Sequence, residues 1–530
     1  MQNFRNMLLV AFAALLIVSA NAGAQQKSTV PNILFCLADD ASFEHFSANG
    51  SKWVKTPNFD RIAKDELLFL NAYTPNAKCA PSRASILTGR NSWQLEELGN
   101  HLAYWPAKYV SVMEVMGQKY FTGYTGKGWA PGDPGKINGK PREVTGKAYQ
   151  SATLVPPTSG IANTDYATNF KNFLGAKPKG QPFFFWFGSK EPHREYEYGS
   201  GAAKGSKSLK DIDKIHQFWP DADSVRMDML DYAYEVEYFD KQLGRILEVL
   251  DQSGEAGNTI VVITSDNGMP FPRIKGFEYE LSNHMPLAIR WPNGIQKPGR
   301  KIEDFVSFID FTPTFLTVSG VKPDAAEHNQ PQGKSLTNIF NSNLSDLIDP
   351  TRNYVLLGQE RHDVGRPHEA GYPIRSIIKD GYMYIRNFEP SRWPAGNPET
   401  GYLNTDGGPT KTVILNQNRR SPGNIPFYQL SFAKRGAEEF YNIKEDRDCV
   451  KNLINDASLQ TRIAAMRSQL LTELKQQGDP RMFGKGYLFD NYPPFEGFQF
   501  YSKFMNGQRM TTPWVNSTDY ETDPRIIKGD

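Results

Sequence analysis

The sequence predicts an α/β protein built on a large, mostly parallel sheet flanked by helices, followed by a smaller C-terminal domain with a short antiparallel sheet and a helix. Three observations lead there: continuous apolar runs of strand length at residues 30–37, 182–187 and 259–264, helical patterns between them, and polar residues wherever a run stops. Residues 30–37 have the profile of a strand buried on both faces and end at Asp39-Asp40. Thr56-Pro57 caps a helix expected to run to about residue 69, with proline at its first position. Residues 182–187 (Pro-Phe-Phe-Phe-Trp-Phe) and 259–264 (Thr-Ile-Val-Val-Ile-Thr) are further buried strands, separated by a helical pattern over 226–251. Stretches rich in Pro, Asp, Gln and Asn at 322–333 and 341–351 read as the link to the second domain. Beyond them, 354–357, 375–378 and 382–386 are expected as antiparallel strands and 457–476 as a closing helix. The expected division is a large domain over 25–345 and a smaller one over 346–530.

Arg5 precedes an apolar run over 7–18, followed by Ala20-Asn21-Ala22 and Ala22-Gly23-Ala24, both of the small-x-small cleavage type. This is the pattern of a secretory signal peptide over 1–24. The run is shorter than the about 20 apolar residues a spanning helix needs. The mature chain is therefore expected in the periplasm or outside the cell, with no membrane insertion. Sixty Lys and Arg nearly balance 58 Asp and Glu, so no global field attracts nucleic acid, and an anionic ligand must be met by a local cluster. Cys36, Cys79 and Cys449 are too few for a disulfide scaffold.

In open α/β sheets ligands bind beyond the carboxyl ends of the strands. Asp39-Asp40, Glu191-Pro192-His193 and Asp266-Asn267 end the three runs and are expected to converge. Asp39, Asp40, Asp266 and Asn267 offer oxygen donors only, which select calcium or magnesium, and calcium tolerates irregular geometry better. Residues 79–90 read Cys-Ala-Pro-Ser-Arg-Ala-Ser-Ile-Leu-Thr-Gly-Arg. Cys79 has no neighbouring cysteine and no CxxC spacing, so it is neither half of a local disulfide nor part of a zinc knuckle.

Cys79, Pro81, Ser82, Arg83, Thr88 and Gly89 fill every fixed position of Cys-x-Pro-Ser-Arg-x-x-x-x-Thr-Gly, and on these residues the chain resembles the type I sulfatases. The resemblance implies the alkaline-phosphatase-like sulfatase fold. It implies that Cys79 is oxidised to formylglycine by a formylglycine-generating or sulfatase-maturating enzyme, beside one Ca2+ ion (Mg2+ the lesser choice) held by Asp39, Asp40, Asp266, Asn267 and residue 79. It also implies a mechanism: the hydrated aldehyde attacks sulfur with one hydroxyl, and deprotonation of the second expels sulfate. Arg83 is then expected to steady the diol, Lys127 and Lys275 to hold sulfate oxygens, and His193 to protonate the leaving group. One position departs from the family. Where a histidine is usual two residues after the first lysine, this chain has Trp129, which leaves His284, His45 or a water as its replacement.

Residues 39–44, 264–272 and 372–376 resemble segments of heparan N-sulfatases, and the similarity extends from about residue 31 to 455. The implied reaction is removal of sulfate, as ester or sulfamate, from a sulfated polysaccharide or its oligosaccharides, either N-sulfoglucosamine of heparan or an algal polymer such as ulvan. Glu360, Arg361, His362, Arg366 and His368 crowd one segment of the C-terminal domain, expected to reach over the site and bind a carboxylated, sulfated saccharide through forked donors. Two other classes share these features: a phosphonate or phosphate monoester hydrolase with the same pocket, and a catalytically silent carbohydrate-binding protein.

Overall fold

The computed structural model describes residues 30–510 and 512–528; the expected signal peptide lies outside the described residues. A nine-stranded sheet is the larger of the two main sheets. Its centre runs in the order Leu67–Tyr73, His284–Arg290, Thr259–Ser265, Asn32–Ala38, Phe183–Gly188 and Phe121–Gly126. His284–Arg290 pairs antiparallel with both neighbours, and the other pairs in this sheet are parallel. The sheet is therefore mostly parallel, as expected.

The continuous apolar runs follow from burial on both faces. Leu34 and Cys36 join the core on one face with Phe170, Phe239 and Leu243, while Ile33, Phe35 and Leu37 join the core on the other with Ala84, Phe311 and Phe315. The first of these cores packs against the helix Asp223–Gln252.

One expected boundary is wrong. The first helix covers Pro57–Asp65 and stops, because residues 67–70 (Leu-Leu-Phe-Leu) form part of a strand instead. A helix needs one apolar stripe, whereas four consecutive apolar residues suit a strand covered on both sides.

The smaller sheet is antiparallel in the order Tyr354–Gln359, Ile374–Lys379, Tyr382–Asn387 and Glu438–Asn442, with the helix Gln460–Gln476 against it. Trp93 sits in the core of this smaller sheet, beneath the Arg375 guanidinium. In the first of the two linker stretches the Gln332 amide donates to the Gly89 carbonyl at 2.7 Å, and between the stretches Leu336, Ile339 and Phe340 are buried with Phe311. No helix among the described residues is long and apolar enough to cross a membrane.

Candidate active site

Two adjacent parallel strands deliver the acidic residues. Asn32–Ala38 and Thr259–Ser265 pair in register along their whole length, so Asp39-Asp40 and Asp266-Asn267 emerge side by side. The Asp40 amide donates to Asp266 Oδ1 at 3.0 Å, and Asn267 Nδ2 donates to Asp40 Oδ1 at 2.7 Å. Asp40 has φ 74°, a left-handed conformation that non-glycine residues rarely adopt and that persists where the surroundings enforce it.

Cys79 opens the helix Cys79–Thr88, every residue of which is buried. Gly89 ends it at φ 69°, where a Cβ would come within 2.6 Å of Pro331, so the final position of the motif needs glycine. Ser82 Oγ donates to the Asp266 carbonyl at 2.7 Å and Arg83 Nε to Asp266 Oδ2 at 2.9 Å. The Ser-Arg pair of the motif thus fastens the helix to the second acidic segment. Cys79 Sγ lies 3.5 Å from Asp39 Oδ1 and 3.8 Å from Asp40 Oδ1. Burial pushes its thiol far above the ordinary range, with the aspartates adding to the effect, so unmodified Cys79 is a poor nucleophile.

Arg83 joins Asp266 to the segment of Lys127 and Gly128. Its Nη1 donates to the carbonyls of Lys127 (2.7 Å) and Gly128 (3.0 Å), and Nη2 stands 3.4 Å from Asp39 Oδ1. Nε and Nη1 brace carboxylate and backbone together, while the buried Nη2 has no hydrogen-bond partner and is left to steady a reacting group.

Two lysines meet the acidic pair. Lys127 Nζ is 2.6 Å from Asp39 Oδ2, and Lys275 Nζ is 2.7 Å from Asp40 Oδ2 and 2.8 Å from Asp406 Oδ2. Burial disfavours charge on Lys275, but Asp40 and Asp406 outweigh it and raise its pKa well above the usual range. Burial likewise pushes Asp39 up, and Lys127 and Arg83 reverse this to hold it ionised. His193 donates from Nδ1 to the Arg194 carbonyl at 2.6 Å, since a carbonyl can only accept, and its Nε2 is 3.9 Å from Asp40 Oδ2. Burial and the Lys275 charge lower its pKa. Its side chain is 34% exposed and borders a cavity of about 530 Å³ lined by Tyr196, Asp406, Gly407 and Trp514.

The donor set fits a hard divalent cation. Donor atoms of Asp39, Asp40 and Cys79 lie within 4.8 Å of one another, and the buried Oδ1 of Asn267 has no hydrogen-bond partner. Burial raises the Asp266 carboxyl to about 7, with Arg83 opposing and the Asp39 charge adding. Carboxylate and amide oxygens that converge in this way suit calcium or magnesium.

The loop expected to bind substrate is mostly interior, which is a correction. Glu360 is buried between Arg375 (2.7 Å) and Arg481 (2.5 Å). Arg361 donates to the Tyr492 carbonyl at 2.8 Å, and Arg366 to the carbonyls of Trp393 and Pro394, each at 2.8 Å. His362 Nε2 donates to Asn76 Oδ1 at 2.9 Å and is fully buried. Only His368 of the five is exposed. Clustered Arg and His have the same composition whether they bind an external anion or satisfy buried carbonyls and carboxylates, so the pattern misled.

The expected substitutes for the missing histidine are also placed elsewhere. His284 is held by Glu280 and the Leu70 carbonyl, each at 2.8 Å, and stacks between Phe43 and Tyr73. His45 bonds Tyr232. Trp129 donates to the Ala80 carbonyl at 3.1 Å and packs edge-on to Trp105. We expect Trp129→Phe to cost about 1 kcal/mol of stability for the lost hydrogen bond and to leave the pH dependence of kcat unchanged; a displaced pH profile would show that the indole serves the proton chemistry.

Asp406 escaped the sequence reading. It sits in Thr405-Asp-Gly-Gly408, which reads as an ordinary turn, and only folding brings it to Lys275. Asp363 was missed in the same way: it pairs with Lys78, the residue before Cys79, at 2.7 Å.

Residues 31–321, more than half of the chain, match the Sulfatase family. The chain belongs to the sulfatase family. The enzyme is a sulfuric ester or sulfamate hydrolase. It is 26% identical over 495 residues to the human N-sulphoglucosamine sulphohydrolase, covering 89% of this chain and 94% of that one. It is 25% identical over 498 residues to an ulvan-active sulfatase of Formosa agariphila, covering 85% of this chain and 75% of the relative. Among solved structures, a protein in complex with D-glucosamine-2-N,6-O-disulfate shares the fold of the enzyme with a TM-score of 0.60 at 20% identity, covering 85% of this chain and 98% of the other.

Proposed function

We propose that this sulfatase releases sulfate from a neutral sugar of a sulfated saccharide, with Cys79 matured to formylglycine beside a calcium ion held by Asp39, Asp40, Asp266 and Asn267. The observation that carries the reading is the convergence of Cys79, the acidic quartet and two lysines next to the cavity bordered by His193 and Asp406. A hydrated aldehyde at position 79 would supply an oxygen nucleophile, and an ion held by Asp39, Asp40, Asp266 and Asn267 would offset sulfate charge. Lys127 and Lys275 present fixed ammonium groups to the sulfate oxygens. With Nδ1 committed to the Arg194 carbonyl, Nε2 is the position from which His193 hands a proton to the departing oxygen or nitrogen.

The cavity supports a neutral sugar at the reacting position. Its exposed carboxylate, Glu195, accepts hydrogen bonds from hydroxyls and repels a uronate, while Trp514, its indole N–H fixed on the Leu403 carbonyl at 3.0 Å, offers a ring to stack on a pyranose. Arg194 also lines this cavity, but Asp228 takes it in two bonds of 2.7 and 2.8 Å. Glucosamine N-sulfate and a sulfated neutral sugar of ulvan both meet these requirements, consistent with the names of the two relatives.

Sulfate release from heparin and ulvan fragments of defined composition tests the proposal. Turnover on sulfated glucosamine or rhamnose is expected, and turnover confined to sulfated uronates overturns the sugar assignment. Faster hydrolysis of an aryl phosphate than of the matching aryl sulfate would overturn the preference for sulfate. Exhaustive chelation should abolish activity and added Ca2+ restore it; unchanged activity after chelation removes the ion from the mechanism. We also assign residues 1–24 to export, which a mature N-terminus near residue 25 would bear out.

A further inference from the structure

A second cluster of ligand atoms lies outside the catalytic centre. Glu44 and His45 occupy the short turn Phe43–His45 that follows the Asp39-Asp40 segment, and His216 comes from the loop ahead of the helix Asp223–Gln252. One ligand atom from each of the three lies within 4.8 Å of the others. His216 Nε2 is 3.1 Å from Glu44 Oε1, and His45 Nε2 is 3.6 Å from the same oxygen. Ligands about 2.0–2.1 Å from a tetrahedral zinc ion stand roughly 3.3 Å apart, and these two distances straddle that spacing.

The outward nitrogens are held as metal-bound histidines usually are. His216 Nδ1 donates to Asp448 Oδ1 at 2.8 Å, while its ring stacks on Phe218. His45 Nδ1 bonds the Tyr232 hydroxyl at 2.9 Å, and its ring meets Trp53 edge-on. Both Nε2 atoms are thereby turned toward Glu44, and partners of this type orient imidazole ligands. The cluster opens on a cavity of about 240 Å³, so a fourth position is accessible to water. Lys52, Lys214 and Arg447 also line that cavity; Lys52 faces Asp213 at 3.5 Å and Arg447 faces Glu280 at 3.6 Å, while the Arg447 charge also reaches Glu44 and that of Lys214 reaches Asp448.

We propose that Glu44, His45 and His216 form a zinc site, separate from the calcium-type centre, that ties the segment after Asp39-Asp40 to the loop carrying His216 and, through Asp448, to the C-terminal domain. Two imidazoles and one carboxylate select zinc over calcium, which takes oxygen ligands. Imidazole binds zinc only when its ligating nitrogen carries no proton, so binding releases protons and weakens as pH falls. The ion's role is to fasten three segments and thereby support Asp39 and Asp40, five and four residues upstream of Glu44.

The test uses the full-length enzyme with Ca2+ in excess, so that the catalytic centre does not compete for the probe. Titration with ZnCl2 is expected to show saturable uptake of one equivalent and a rise in Tm, and CoCl2 to give the visible absorption of a four-coordinate site. His216→Ala and Glu44→Gln should abolish both signals, and Asp448→Asn should weaken zinc about 10–100-fold, while Cys79→Ala binds as the parent does. Far-UV circular dichroism and sulfate release in the metal-free variants establish that they fold. No saturable zinc uptake by the parent, or equal uptake by folded His216→Ala and Glu44→Gln, overturns the proposal; loss of zinc uptake only in Cys79→Ala would place the ion in the catalytic centre and overturn it equally.

Discussion

Cys79→Ala is expected to reduce sulfate release by a factor on the order of 10⁴ or more, as loss of a reacting side chain does, while leaving the fold intact. The side chain is 1% exposed, and its polar contacts are two long approaches to Asp39 and Asp40. Truncating so short a side chain there costs about 1 kcal/mol, the lower end of buried truncations. Alanine also suits the first turn of a helix, so Ser82 and Arg83 keep their bonds to Asp266. Sulfate release and thermal unfolding of the purified variant check both halves. Activity equal to the parent would remove Cys79 from the chemistry, and unfolding would make it structural.

Glu360→Ala is expected to have the opposite profile, lowering stability by about 3–5 kcal/mol, as when one partner of a buried ion pair is removed. Arg375 keeps Asp479 at 2.8 Å, but Arg481 loses the carboxylate that holds it, and the helix Gln460–Gln476 and its following turn are fastened to the small sheet through this network. Urea unfolding monitored by fluorescence measures the loss, and KM at low temperature should stay close to that of the parent. Unchanged stability with a raised KM would return Glu360 to the role of substrate ligand.

The two variants separate what local sequence reveals from what it conceals. Cys79, Pro81, Ser82, Arg83, Thr88 and Gly89 are legible because one short helix must satisfy several demands at fixed spacing: a reactive position at its start, a hydroxyl and a guanidinium facing Asp266, and a left-handed stop. The parallel strands are legible because burial on both faces leaves unbroken apolar runs, and the acidic residues at their ends follow from where such strands place a ligand. The Glu360–His368 segment misled because composition does not record burial: arginines that satisfy carbonyls inside a domain look like arginines that await an anion.

By itself, the sequence determined the α/β class, the reaction class and the segments that carry the acidic quartet, since each depends on residues close together in the chain or at the end of a strand. Tertiary structure decided which charges meet. Asp406 reaches Lys275 across 131 residues and Asp448 reaches His216 across 232, separations at which no spacing rule operates, because the partner is set by how whole sheets and loops pack.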